Sequence, residues 1–155
     1  MTGPVTSPTP ARGPGGAPAP LGPVVLRFSA LPEHVRIARL VTTSLARRAG
    51  LVGGDVEGVR LAVGEACGRA VQRSESAGAA ELVEVTATSR GGELVVQVVD
   101  HAGDDGLETE EVAMLLMEGL ADEVAVTAGP GGPGGTTRLT WRPSAASSST
   151  TTSGT

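Results

Sequence analysis

The chain has 155 residues, a formal net charge of −5 and a sequence pI near 5.0, with 1% aromatic residues. The acidic balance and the scarcity of aromatic side chains exclude a nucleic-acid coat and a base-stacking platform. The sequence has no lysine and no asparagine, which excludes a P-loop lysine and an asparagine ligand. No apolar run predicts a membrane span, no signal peptide follows Met1, and a single cysteine fits a reducing compartment, so we expect a cytoplasmic protein.

Both ends of the chain have the composition of disordered segments. Residues 1–23 contain twelve glycines or prolines and one charge, and residues 144–155 consist of Ser, Thr, Ala and Gly. Neither segment has enough apolar surface to offset the entropy of ordering. We therefore predict a flexible arm over 1–23, one folded domain over 24–143 and a flexible tail over 144–155.

The periodicity of the domain predicts the element order β-α-α-β-β-α-β-β. A strand over 24–28 is followed by a helix from Pro32 to Gly50, and a second helix begins after Gly53 with Asp55 as its N-cap. The elements expected next are a strand at 82–89, a Gly91-Gly92 turn, a strand at 94–99, a polar loop at 100–107, a helix at 108–120 and a hairpin of strands 124–127 and 137–141.

The apolar spacing of the two long helices predicts which residues face the core. In the second helix the buried stripe is expected to be Val56, Val59, Val63, Cys67 and Ala70, and in the first it is Val35, Ala38, Val41, Leu45 and Ala49. The fold class predicted is α+β, a two-layer α/β sandwich with helices on one face of a mixed sheet. The other face would need cover, which a second copy or a partner could supply.

Four short segments, in this order, carry a family resemblance. They are FSALPEHVR from Phe28, RLAVGEAC from Arg60, VQVVD ending at Asp100, and GGTTRL from Gly134. The chain resembles the anti-sigma regulatory factors, the serine-kinase branch of the histidine-kinase-like (GHKL) ATPases. The resemblance covers essentially all of 24–143. It implies the Bergerat nucleotide-binding fold and two competing partners, a sigma factor and an anti-anti-sigma protein of the STAS type.

The N box of this chain departs from the family pattern. In the family, a glutamate on the second helix acts as base, and an asparagine four residues later helps hold Mg²⁺. Here Glu65 matches the glutamate, but Arg69 stands at the asparagine position. Because a guanidinium has no lone pair, Arg69 cannot be a magnesium ligand, and it could form a salt bridge with Glu65 one turn away. We interpret Glu65 as a vestigial base.

The G1 box and the lid also depart from the family pattern. Asp100 matches the aspartate that accepts a hydrogen bond from adenine, but Ala102 and Asp104 replace the two glycines that follow it. The lid glycines are replaced in a segment that contains Glu110 and Glu111. Because phosphate binding needs positive potential and accessible amides, this degenerate site predicts that nucleotide binding is impaired. No cofactor is expected, and any binding of Mg-ATP is expected to be weak.

Each of these features also has a purely structural interpretation. Glu65 and Arg69 could be an exposed helical pair, and Asp100 a turn former. The acids between 104 and 111 lack the order of a Ca²⁺ loop, and neither histidine has a second ligand at a suitable spacing, so no metal site is expected. Cys67 and the run from Met114 to Met117 are interpreted as core residues, although methionines also suit partner surfaces.

The hypothesis from sequence is an anti-sigma-like regulator of bacterial transcription that acts by protein binding and has lost or impaired nucleotide binding. The alternative is an active ATP-dependent serine/threonine kinase that phosphorylates a STAS partner. A third alternative, an unrelated scaffold domain, requires the ordered segments to be coincidental. The arginine-rich first helix is the candidate partner surface, with Arg36 and Arg39 three residues apart. No nucleic-acid or membrane partner is expected, and a homodimer is left open.

Overall fold

The computed structural model describes residues 21–103, 110–128 and 134–144, and its elements follow the predicted order. The predicted arm up to residue 20, the tail from 145, the second half of the polar loop, the start of the third helix and the glycine-rich turn at 129–133 lie outside the described residues. The elements are β1 (Leu21–Phe28), a 3-10 turn (Pro32–His34), α1 (Val35–Arg48), α2 (Gly54–Ala77), β2 (Val83–Arg90), β3 (Glu93–Asp100), α3 (Glu110–Glu118), β4 (Glu123–Ala128) and β5 (Gly135–Trp141).

The sheet has five strands in the order β1-β2-β3-β5-β4, and each neighbouring pair is antiparallel. The prediction of a mixed sheet is therefore wrong for the described strands. The chain does cross over between two strands of the same direction, since β3 is joined through α3 to β4. However, β5 returns between them in the opposite direction, so β3 and β4 are not neighbours.

One face of the sheet packs against α1 and α2, and the core lies between these two layers. Strands β2 and β3 alternate strictly, and their inward residues are buried while the outward ones are half-buried or exposed. All five residues of the predicted α2 stripe are buried, which confirms that prediction. Burying a side chain the size of valine contributes about 1.5–3 kcal/mol, so this stripe holds α2 on the sheet.

The second face of the sheet was expected to need cover, but it includes a row of polar side chains. One row across it contains Thr86, Gln97 and Arg138, which are paired in register on β2, β3 and β5. Such a face can remain in water, as one face of an antiparallel sheet commonly does. None of the helices in the described ranges combines the length and the hydrophobicity of a membrane span.

The first helix follows the prediction, and it also buries Thr42, Thr43 and Ala46, which the predicted stripe did not include. Val35, Ala38, Leu45 and Ala49 are buried and Val41 is half-buried. Thr42 is also buried, and its hydroxyl donates to the Ala38 carbonyl at 2.8 Å. Because this bond satisfies the Thr42 hydroxyl, a polar residue can be buried at a position that the apolar pattern did not predict to be in the core.

The start of α2 and the run in α3 differ from the predictions. Gly53, with φ +54°, is the N-cap of α2, and Asp55 makes no capping bond because it lies inside the first turn, where the helix dipole favours an acid. In α3, Met117 is fully buried but Leu115 and Leu116 are 64% and 50% exposed. The run from Met114 to Met117 thus belongs to the core only in part, because a single helix face can contact the sheet layer.

Candidate functional site

The predicted site lies where α2 crosses the ends of β3 and β5. Glu65 and Arg69 lie on α2 with a spacing of four residues, and Arg73 continues the same row. Residues four apart on a helix project from neighbouring positions of one face. Asp100 ends β3, and Thr137 lies on the adjacent β5. The fold therefore brings the N-box and G1-box residues to one end of the sheet, as the resemblance implied.

Arg69 is buried and points towards the sheet. Its Nη1 donates a hydrogen bond of 2.9 Å to Oγ1 of Thr137, which is itself 3% exposed. No salt bridge joins Arg69 to the half-buried Glu65, so that expected pair is not formed. The guanidinium instead ties α2 to β5, at the position where the family has its magnesium ligand.

Asp100 is 3% exposed, and both of its carboxylate oxygens have neighbours within the protein. Nε of Arg73 lies 3.4 Å from Oδ2, and the amide of Ala102 donates to Oδ1 at 3.1 Å. Arg73 also donates through Nη2 to the Gly103 carbonyl at 2.9 Å. Arg73 thus binds the end of β3 and the start of the following loop together, and it satisfies the charge of a buried carboxylate.

Sequence reasoning missed Arg73. The signal was present, since Arg73 lies four residues after Arg69 and eight after Glu65 on one helix face. What the sequence lacked was a distance from that face to Asp100, which depends on how α2 crosses the sheet.

One of the two G1-box replacements is packed inside the protein. Ala102 is 1% exposed, so its methyl group is packed inside the protein. Asp104 lies outside the described residues, as does the side chain of Glu110, while Glu111 is exposed. Close packing around the site continues at Gly134, which has φ +135° and where a Cβ atom would lie 2.5 Å from the Asp100 carbonyl oxygen.

The described residues contain no cluster of His, Cys, Asp or Glu that could hold a metal ion. His34 contacts the Ser29 carbonyl through Nδ1 at 3.0 Å and packs edge-on against Phe28. Cys67 is fully buried, and this burial raises its pKa to about 12, with a smaller opposing effect of Arg39. Cys67 is therefore a protonated core residue, as its place on the α2 stripe predicted.

The candidate partner residues belong to α1, which packs on the side of α2 that faces away from Arg73. Arg36 is exposed on α1, and Arg39 is half-buried because its side chain crosses Gly64 of α2. The Arg39 Cδ atom lies 2.9 Å from where a Cβ atom on residue 64 would be. Gly64 and Arg73 are nine positions apart, which places them on opposite sides of the helix at about 3.6 residues per turn. The basic surface and the region around Asp100 are therefore separate.

Comparison with known proteins agrees with this geometry. Residues 28–141 match the family model described as "Histidine kinase-like ATPase domain". The chain is 28% identical over 134 residues to a "Serine-protein kinase RsbW" of Bacillus pumilus, covering 70% of this chain and 80% of that protein. It is 30% identical over 128 residues to the RsbW of Bacillus velezensis, covering 70% and 79% of the two chains.

A solved structure shares the fold. It is the crystal structure of the RsbU and RsbW domains of Rv1364c from Mycobacterium tuberculosis, with a TM-score of 0.64 and 25% identity. The match covers 80% of this chain and 33% of that longer one, so our chain spans about a third of it. The motifs, the fold and these matches together show that the chain belongs to the histidine kinase-like ATPase family, in the anti-sigma, serine-kinase branch that RsbW represents.

Proposed function

We propose that this protein is an anti-sigma-type regulator that works by binding other proteins, with a nucleotide site that is impaired or lost. The observation that carries the proposal is the ion pair between Arg73 and Asp100. In the family, the aspartate at this position accepts a hydrogen bond from the adenine amino group. In this chain its carboxylate already interacts with a guanidinium and a backbone amide.

The magnesium side of the site supports the same proposal. Mg²⁺ takes oxygen ligands in near-octahedral geometry, and Arg69 offers it only N–H donors and a positive charge. Arg69 is 9% exposed as a residue, and its guanidinium donates a hydrogen bond to Thr137. Moving it away would break that bond and leave the buried Thr137 hydroxyl without this donor, which costs free energy. The chain would then be a pseudokinase of its branch.

The partners we propose are those that the resemblance implies, a sigma factor and a STAS anti-anti-sigma protein, in the cytoplasm. Because nucleotide binding is proposed to be impaired or lost, nucleotide would not select between the partners, and selection would depend on their competition for one surface. Arg36 and Arg39 are our candidates for part of that surface, since guanidinium groups pair well with carboxylates. A homodimer is compatible with this arrangement.

We also propose the domain limits that composition suggested, an arm, a folded domain over 24–143 and a tail. The described strand β1 begins at Leu21, and its pairing with β2 shifts register between Leu21 and Val24. The regular ladder thus begins at Val24, which fits a domain whose first firmly paired residue is close to the proposed limit.

The test is titration calorimetry of the full chain with Mg-ATP, with the Bacillus velezensis RsbW as a positive control. We expect no measurable heat of binding, and no phosphotransfer to a STAS protein under the same conditions. Arg69→Asn alone is not expected to restore binding, because Arg73 would still pair with Asp100. A dissociation constant in the low micromolar range for the unmodified chain would overturn the proposal.

The second candidate function is an active serine kinase that phosphorylates a STAS partner. Two observations favour it: the relatives are named serine-protein kinases, and Glu65 is retained at the position of the base. Phosphotransfer that disappears in a Glu65→Gln variant would establish it.

A further inference from the structure

A depression between α1 and α2 is lined by four arginines, and Asp100 is not part of its lining. Its volume is about 360 Å³, and its lining consists of Arg36, Arg39, Leu40, Thr43, Arg47 and Arg60. The α1 residues recur at three- and four-residue intervals, so they share one helix face. Arg60 comes from α2 on the opposite wall. Among the described residues, no carboxylate is part of this lining.

The positive charge of the depression is largely uncompensated. Arg60 is bound by Glu57, which accepts from its Nε at 2.9 Å and from its Nη2 at 2.5 Å. Within the described part of the chain, no carboxylate lies within ion-pair distance of Arg36, Arg39 or Arg47. Three arginines without a carboxylate partner among the described residues therefore line one depression, although the whole chain is acidic.

The depression also contains a buried hydroxyl that lacks a partner among the described residues. Thr43 is 8% exposed, and its Oγ1 makes no hydrogen bond there. The neighbouring Thr42 does satisfy its hydroxyl, by donating to the Ala38 carbonyl. Thr43 lines the depression, and its hydroxyl therefore keeps a donor that no described residue uses.

We propose that this depression binds a phosphate-type oxyanion, either inorganic phosphate or a phosphate monoester. Arginine presents several N–H donors in a planar fork that matches the oxygens of phosphate, and several such forks can contact one tetrahedral group. The Thr43 hydroxyl would donate to a further oxygen. The volume exceeds that of one phosphate, so there is room for the group that carries it.

The experiment is calorimetric titration of the full chain with inorganic phosphate, with thermal melts in phosphate and in chloride at matched ionic strength. We expect saturable binding to one site and a Tm that rises with phosphate but not with chloride. Arg47→Gln is expected to weaken binding about tenfold, since it removes a charge-assisted hydrogen bond. Arg48→Gln is the matched control, because the adjacent Arg48 does not line the depression, and binding should change less than about twofold.

Thr43→Val separates a ligand site from general charge attraction. Replacing the buried hydroxyl by a methyl group should raise the Tm of the phosphate-free protein and reduce its further rise in phosphate. Equal effects of phosphate and chloride would overturn the proposal, as would equal losses in Arg47→Gln and Arg48→Gln. The test uses no partner protein and no nucleotide, so its failure would leave the proposed function standing.

Discussion

Arg73 and Asp100 form a buried pair whose two members come from different layers of the fold. Arg73→Ala removes the guanidinium and leaves the Asp100 carboxylate, 3% exposed, without its cation. Breaking a buried pair in this way typically costs about 3–5 kcal/mol, and the 3.4 Å separation here suggests the lower end. We expect urea denaturation to show a loss of about 3 kcal/mol in the free energy of unfolding.

Arg60→Ala is the control for this prediction, since the Arg60–Glu57 pair is exposed on both sides. Exposed pairs contribute little to stability, so its urea midpoint should match that of the unmodified chain. Equal midpoints for the Arg60 and Arg73 variants would show that the Asp100 pair is solvated, and would weaken the argument that Asp100 is unable to accept adenine.

Cys67 gives the chain an alkaline transition that is easy to assign. Burial raises its pKa from 9.0 to about 12, so between these values the unfolded chain releases a proton that the folded chain keeps. The contribution of Cys67 to stability is therefore constant below about pH 9 and falls by about 1.4 kcal/mol per unit as the pH rises towards 12. The sequence has no lysine and no tyrosine, so no other side chain type ordinarily titrates there.

Urea denaturation between pH 8 and 11 measures this transition, with Cys67→Ala as the reference. The variant should show a nearly flat stability profile over the same range, although it starts from a lower value because a buried atom is lost. A parallel decline in both proteins would mean that Cys67 is not its cause.

At the scale of elements, the sequence predicted what depends on local pattern. The α2 stripe was correct because a 3.6-residue period is readable from Val56 to Ala70, and the Gly91-Gly92 turn was correct because both glycines have positive φ. The sequence could not predict the position of β5 between β3 and β4, the Arg73–Asp100 contact or the exposure of Leu115. Each depends on where two elements meet in space, which a one-dimensional pattern does not contain.

Two glycines of α2 offer a matched test of packing between elements. A Cβ atom on Gly58 would lie 2.7 Å from the Leu120 carbonyl oxygen, which accepts the Trp141 Nε1 bond of 2.9 Å, while a Cβ on Gly68 would meet nothing within 4 Å. Gly58→Ala should therefore destabilise the fold by about 1–3 kcal/mol. Gly68→Ala should stabilise it by roughly 0.5–1 kcal/mol through helix propensity.

Thermal melts of the two variants check this prediction. Both changes add the same methyl group to the same helix, so the difference between them isolates the contact with the turn after α3. Two variants that shift the Tm in the same direction would show that the turn moves away at little cost.

At the scale of the whole molecule, the charges are divided between surfaces. Arg36, Arg39 and Arg47 of α1 line one depression, whereas α3 and the start of β4 carry four acids, Glu111, Glu118, Asp122 and Glu123. These acids are exposed, and within the described residues none of them forms an ion pair with an arginine of α1. A protein with this arrangement attracts an acidic partner to one side only, which orients the encounter before contact.

The last prediction follows from that separation and from the proposed loss of the nucleotide site. The double reversal Arg36→Glu/Arg39→Glu should slow association with sigma and STAS candidates and flatten its salt dependence, because the steering charge is removed. The control Arg48→Glu/Arg90→Glu makes the same change in net charge elsewhere and should retain most of the rate. Association is measured at two salt concentrations, with and without Mg-ATP, and nucleotide should have no effect. Unchanged binding by the double reversal would make the α1 arginines a solvated face, and a tenfold shift with ATP would favour the active kinase.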